Sequence, residues 1–223
     1  MKLTNQNIQD LYKFTRQHFV EHYDVQTELV DHLANDIEEI LEEKPDFTFR
    51  EARDLSFKKF GVFGFMGVVE EKQKQLSKKY AKILWRFTKD WFQLPKIILT
   101  ISIFIVFYNA LLFKNGYYLI IGLFVLSMFF AGYKLYHLRK KMKKKDKKWM
   151  LEEMLLTQGG GSAFFIATYP LHFSYRTFNG DYKTVLMSFF LTSLTIILYV
   201  SLEVIPKKSE ELLTEHYPEY KIV

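Results

Sequence analysis

The sequence predicts an all-α polytopic membrane protein, with an N-terminal cytoplasmic helical domain followed by a four-helix transmembrane domain. Three observations lead to this prediction. Apolar residues recur at three- and four-residue spacing through the first 95 residues, as amphipathic helices require. Uncharged runs of membrane length then fill most of residues 97–205. Positive charge clusters beside these runs, which is typical of cytoplasmic flanks.

The predicted cytoplasmic domain, residues 1–67, is acidic and helical. Thr4 suits the N-cap of a first helix, and a second helix spans about Val25 to Glu43. Thr48 and Glu51 match a capping box that begins a third helix. The first 54 residues contain 13 Asp or Glu and only six Lys or Arg. The first helix carries one apolar stripe, which consists of Ile8, Leu11, Tyr12, Thr15 and Phe19.

Residues 68–95 form a predicted basic amphipathic helix at the membrane surface. Its indole rings suit the headgroup layer, and its cations suit anionic lipid. An ordinary solvated helix face is the alternative. The residues predicted to contact lipid are Lys78, Lys79, Lys82, Trp85, Arg86 and Trp91.

Residues 96–206 contain the predicted spans, which lie at about 97–113, 117–137, 154–175 and 184–205. Short polar connections make them two antiparallel hairpins. Residues 207–223 form a cytoplasmic tail to which the sequence assigns no role.

A basic run from Arg139 to Trp149 separates the two hairpins and contains eight cations and one Asp. Such a run could bind nucleic acid, but its flanking spans favour a cytoplasmic loop, which places both termini in the cytoplasm. We expect the acidic domain to fold back on this loop and to compete there with anionic lipid. The cations predicted to meet lipid are Arg139, Lys140, Lys141, Lys143, Lys144 and Lys145.

Four polar residues of the second helix form the predicted protein-binding face: Glu28, Asp31, His32 and Asp36. They could also bind a metal ion, because Glu28 and His32 lie one helical turn apart. An acidic face that awaits a basic partner explains them more simply. We therefore predict no metal at this face.

His18, Glu21 and His22 match the H-x-x-E-H pattern of some zinc proteases. A catalytic zinc also needs a third ligand in a framed cleft, so surface or capping histidines are the favoured interpretation. The chain has no cysteine, which excludes thiolate chemistry. We find no catalytic constellation, and the sequence predicts neither an enzyme nor a cofactor.

A glycine-rich stretch near the start of the third predicted span suits close helix packing through Gly159, Gly160 and Ala163. An ion or substrate site in an unwound helix is the alternative. A phosphate-binding loop is excluded, because the Lys and Ser or Thr of that motif are missing.

Four short segments of the N-terminal domain together resemble the HAAS-like helical domain: ELVDHL at 28–33, IEE at 37–39, FREA at 49–52 and KKFG at 58–61. The resemblance implies a regulatory role. Domains of that family sit at the cytoplasmic front of small bacterial membrane proteins, commonly encoded beside PadR-like regulators, and they also front some permeases. This chain departs from the pattern in its longer turn, EEKPDFTF, and in the basic helix that follows.

The predicted function is that of a non-enzymatic regulatory or signalling protein of the bacterial inner membrane. Its partners would be anionic lipid and a protein, either a PadR-like regulator or a larger inner-membrane complex, with no direct contact to nucleic acid. An accessory subunit of a transport or secretion complex is the alternative. A small channel or carrier is the third interpretation.

Overall fold

The computed structural model describes residues 2–158 and 181–221, and within these ranges it is helical and contains no β-strand. This confirms the predicted all-α class for the described part of the chain. The chain forms two compact units. Unit 1 comprises Met1–Lys78 and Lys145–Met150, and unit 2 comprises Lys79–Lys144 and Leu151–Val223.

Unit 1 begins with three helices, α1 (Asn5–Gln17), α2 (Tyr23–Glu43) and α3 (Phe49–Lys58). Both predicted caps are confirmed. The Thr4 hydroxyl accepts a hydrogen bond from the N–H of Asn7, and Thr48 and Glu51 exchange the two bonds of a capping box. These bonds satisfy backbone groups that the first turn of a helix leaves unpaired.

The predicted apolar stripe on α1 is wrong at one position, because Phe19 is 82% exposed. The helix ends at Gln17, and Phe19 adopts a positive φ of 64° that reverses the chain before α2. Phe14 and Val20 are buried instead. The prediction extended the helical period past the point where the helix stops.

The core of unit 1 lies between these helices and includes fully buried Leu11, Leu33 and Ile37. Beside it, Phe14, Phe57 and Phe65 pack edge to face, with ring centroids 4.8–6.0 Å apart. Edge-to-face contacts of this kind stabilise a core beyond the burial of apolar area. Helix α4 (Met66–Lys89) then begins in unit 1 and continues into unit 2.

The second part of the predicted basic loop belongs to unit 1. The Tyr23 N–H donates to the carbonyl of Lys148 at 2.7 Å, and the Met150 N–H donates to Asp24 Oδ1 at 3.1 Å. Trp149 is buried, and its ring meets Tyr23 edge to face at 5.4 Å. The predicted domain of residues 1–67 therefore differs from the observed unit, which extends along α4 and recruits this distant segment.

Unit 2 contains a 3₁₀ turn (Asp90–Phe92), α5 (Ile97–Leu112) and α6 (Gly116–Met142). A tight turn joins α5 to α6, and a side chain at Gly116 would overlap the Ala110 carbonyl. Helix α6 runs five residues beyond the predicted span, into the basic run.

The remaining helices of unit 2 are α7 (Met150–Glu153), a π-helical turn (Met154–Gln158), α8 (Asp181–Tyr199), a second π-helical turn (Val200–Val204), α9 (Ile205–Lys207), α10 (Ser209–His216) and a 3₁₀ turn (Pro218–Lys221). An apolar core joins α6 to α8 through residues such as Ile120, Phe124, Leu191 and Leu198. Lys134 bonds Glu203, and Lys207 lies 3.0 Å from the same carboxylate. Charged groups in membrane segments characteristically pair in this way.

Two helices are long and apolar enough to cross a membrane: Gly116–Met142 and Tyr182–Lys207. A third candidate is the helix pair Met66–Phe92 and Ile97–Leu112, which is bent by 83° at its break. In the span window of Gly116–Met142 only 17% of the residues are buried, which suits a helix surrounded by lipid. The chain therefore has two or three candidate spans in its described part, and the predicted span 154–175 lies outside the described residues after Gln158.

Candidate partner-binding groove

Three predicted protein-binding residues, Glu28, His32 and Asp36, lie four residues apart on α2. This spacing places them in one row along the helix surface. They line a groove of about 380 Å³ in unit 1, together with residues of α3 and of the chain that follows it. The remaining lining residues are Leu29, Ser56, Lys59, Phe60 and Val68. We call this the α2 groove.

Two lysines form ion pairs with the carboxylates of this row. The Lys72 ammonium lies 2.6 Å from Glu28 Oε2, and the Lys59 ammonium lies 2.5 Å from Asp36 Oδ1. Burial opposes ionisation of Asp36, but the hydrogen bond from Lys59 outweighs it and lowers the pKa of Asp36. The hydrogen bond to Asp36 in turn raises the pKa of Lys59. Both groups therefore remain charged at neutral pH.

The groove combines an apolar wall with charged and hydrogen-bonding groups at its rim. Leu29 is buried, Phe60 and Val68 are half-buried, and His32 is exposed. Protein interfaces commonly have such an apolar centre and polar rim. The volume suits one or two anchoring side chains of a protein segment.

The predicted acidic face differs from this groove in its electrostatics. Asp31 is exposed on α2 but does not line the groove, and the Glu28 and Asp36 carboxylates already have cationic neighbours. Unit 1 as a whole contains 14 Lys or Arg and 16 Asp or Glu, so it is nearly balanced in charge. The sequence prediction missed Lys59 and Lys72, because only the packing of α3 and α4 selects them from the other lysines.

In the histidine motif, His18 immediately follows α1 and His22 immediately precedes α2. The His18 ring packs 4.3 Å from the Phe14 ring and 4.4 Å from the Phe57 ring, and its Nδ1 lies 2.8 Å from the Phe14 carbonyl. Glu21 lies 3.2 Å from Lys148. His18 therefore contributes to the aromatic core of unit 1.

Several predicted lipid-contacting residues lie around a second cavity, of about 290 Å³, within unit 2. Lys79, Lys82 and Arg86 line it beside Ile83, Leu212 and Glu215. The Lys79 ammonium also bonds the His216 ring. Helix α10, to which the sequence assigned no role, thus packs against the basic helix. The apolar pair Leu212 and Leu213, both buried, was the available sequence signal.

The other predicted lipid-contacting residues are mostly accessible. Trp85 is 69% exposed, whereas the Trp91 ring packs edge to face on Tyr199 at 5.4 Å. Exposed cations from the same prediction are Lys78, Arg139, Lys140, Lys141, Lys143 and Lys144, and Lys145 is half-buried in unit 1. The predicted packing residues Gly159, Gly160 and Ala163 lie outside the described residues.

Comparisons with models of protein families, with curated proteins and with solved structures give no match to this chain. The resemblance to the HAAS-like domain therefore stays a prediction from the quoted segments.

Proposed function

We propose that this chain is a non-enzymatic regulatory or signalling protein of the bacterial inner membrane, and that its helical unit 1 binds a protein partner in the α2 groove. Unit 1 and both termini would face the cytoplasm, and the basic segments of the chain would contact anionic lipid. The HAAS-like resemblance favours a PadR-like regulator as the partner.

The observation that carries this proposal is the composition of the α2 groove. Its apolar wall, formed by Leu29, Phe60 and Val68, can receive an aliphatic or aromatic anchor. The exposed His32 lies at its rim, while the two ion pairs hold the neighbouring charges in place. The best-fitting partner segment is therefore an amphipathic one whose apolar side chain enters the groove.

The test is the double variant His32→Ala, Val68→Ser, which changes two residues that line the groove and leaves both ion pairs intact. We expect this variant to lose the partner that the unaltered full chain retains when it is purified from native membranes in mild detergent. The amounts are measured by quantitative mass spectrometry, and binding is then repeated with the purified partner.

Asn35→Ala, Val62→Ser supplies the matched control, because both residues are exposed, neither lines the groove, and both side chains are shortened in the same way as in the groove variant. Retention of the partner by the control and its loss from the groove variant support the proposal. Equal retention by both variants would overturn it.

A second candidate function, an accessory subunit of a transport or secretion complex, is favoured by the apolar surface of unit 2. A groove of about 520 Å³ between α5 and α6 is lined by residues that include Val106, Asn109, Phe113 and Leu119. Val106→Trp would fill this groove. It should dissociate a membrane complex docked there and leave a partner bound to unit 1 in place, so the two functions give opposite results.

A further inference from the structure

A third cavity, of about 610 Å³, lies in unit 1 between α1, the start of α2 and the recruited segment Lys145–Met150. Its size falls in the range of small-molecule sites. We call it the loop cleft. Its charged lining residues are Lys13, Arg16, Glu21, Asp146, Lys147 and Lys148, and its uncharged ones are Gln9, Tyr12, Tyr23 and Gln26.

The loop cleft carries a net positive charge, whereas unit 1 as a whole is nearly balanced in charge. Four cations and two carboxylates line it, although acidic residues outnumber basic ones by seven in the first 54 residues. One carboxylate, Glu21, already lies 3.2 Å from Lys148. Among the described residues Arg16 makes no ion pair, so its guanidinium can receive an anion.

The walls of the loop cleft are held in place by hydrogen bonds and ring contacts. The Tyr12 and Tyr23 rings are stacked with their centroids 6.1 Å apart, and the Tyr12 hydroxyl donates to Thr27 at 3.2 Å. The Lys147 ammonium lies 4.5 Å from the Tyr23 ring centroid. Buried Gln26 donates its amide N–H to the Val20 carbonyl at 2.7 Å. The cations therefore project from a preorganised frame, which lowers the entropic cost of binding.

From this arrangement we infer that the loop cleft binds a phosphate-bearing anion. A guanidinium matches the geometry of phosphate oxygens, and flanking ammonium groups add point charges. The cleft also has room for a small organic group beside the phosphate. This site is separate from the α2 groove, and the inference does not depend on the proposed protein partner.

The phosphate can come from a free metabolite or from a lipid headgroup. A lipid headgroup is within reach along the chain, because Lys147 lies only five residues after Met142, the last residue of a candidate span. Experiments with and without anionic lipid distinguish the two sources.

The primary experiment titrates inorganic phosphate by calorimetry into the full chain, reconstituted in phosphatidylcholine nanodiscs. We expect saturable binding that weakens about tenfold or more in the double variant Arg16→Gln, Lys147→Gln, since the loss of one charge-assisted hydrogen bond already weakens binding by about that factor. The matched control is Lys143→Gln, Lys144→Gln, which removes two cations from the same basic run outside the cleft. Thermal melts of both variants verify that the fold is retained.

A second titration uses nanodiscs that contain one-fifth phosphatidylglycerol. If the unaltered chain binds phosphate with the same affinity in these nanodiscs, the ligand is a free phosphate compound. If the lipid weakens phosphate binding by the unaltered chain but not by the double variant, the ligand is the lipid headgroup. Absence of saturable binding in phosphatidylcholine, or equal affinity in the double variant and the unaltered chain, would overturn the inference.

Discussion

At the scale of single residues, the ion pair between Asp36 and Lys59 shows how unit 1 positions its charges. Asp36 belongs to α2 and Lys59 immediately follows α3, so the pair ties together two segments that are distant in sequence. Only 24% of the Asp36 side chain is exposed, whereas 57% of Lys59 is. Solvent therefore screens the pair in part, and its contribution to stability is modest.

Asp36→Asn should lower the melting temperature of the full chain at pH 7, because it removes the charge that Lys59 neutralises. The folded-state pKa of Asp36 is lowered, so the pair stabilises the folded chain above the unfolded-state pKa of about 3.9. This contribution disappears as the pH falls through the lower folded-state pKa. The difference in melting temperature between the unaltered chain and the variant should therefore shrink on acidification below about pH 3.9.

Asp31→Asn is the control for this prediction, since Asp31 is exposed on the same helix. It should show almost no difference in melting temperature at either pH. The assigned ion pair is contradicted if Asp36→Asn and the unaltered chain have the same melting temperature at pH 7. It is also contradicted if the difference in melting temperature grows on acidification.

At the scale of elements, the end of the basic run packs into unit 1 through a buried aromatic side chain as well as through charge. The sequence predicts that the acidic domain meets this loop through opposite charge. In the structure Trp149 is only 4% exposed, and the neighbouring backbone bonds to Tyr23 and Asp24. The indole anchors a short segment that its lysines alone would leave in solvent.

Trp149→Ala should release this segment, because replacing a buried aromatic side chain by alanine costs about 3–5 kcal/mol. We expect tryptic cleavage within residues 143–148 of the full chain to accelerate about tenfold or more, since proteolysis follows local opening. Trp85→Ala removes an indole that is 69% exposed and should leave the cleavage rate unchanged. Equal rates in the two variants would show that Trp149 does not anchor the segment.

The elements that sequence reasoning predicted well are those set by local interactions. The capping box at Thr48 and the start of α2 within two residues are of this kind. What it missed depends on distant parts of the chain: the pairing of Lys72 with Glu28, the packing of α10 and the burial of Trp149 against Tyr23. Periodicity and local charge carry no information about which remote surfaces meet.

At the scale of the whole molecule, the proposed function requires a chain that crosses the membrane. Helix α6 is the best candidate span, because it is 27 residues long and leaves large apolar side chains such as Leu126 and Phe129 exposed. At 1.5 Å per residue a helix of this length reaches about 40 Å, which exceeds the roughly 30 Å of a hydrocarbon core. The cations in its last turn then predict a cytoplasmic C-terminal end.

The most direct test uses cysteines introduced singly, for which the cysteine-free chain provides a clean background. Asn115→Cys and Lys143→Cys flank α6, and Glu39→Cys reports on unit 1. In intact cells a membrane-impermeant thiol reagent should label Asn115→Cys alone, and the other two should react only after permeabilisation. Labelling of Asn115→Cys and Lys143→Cys from the same side would contradict the membrane-spanning account.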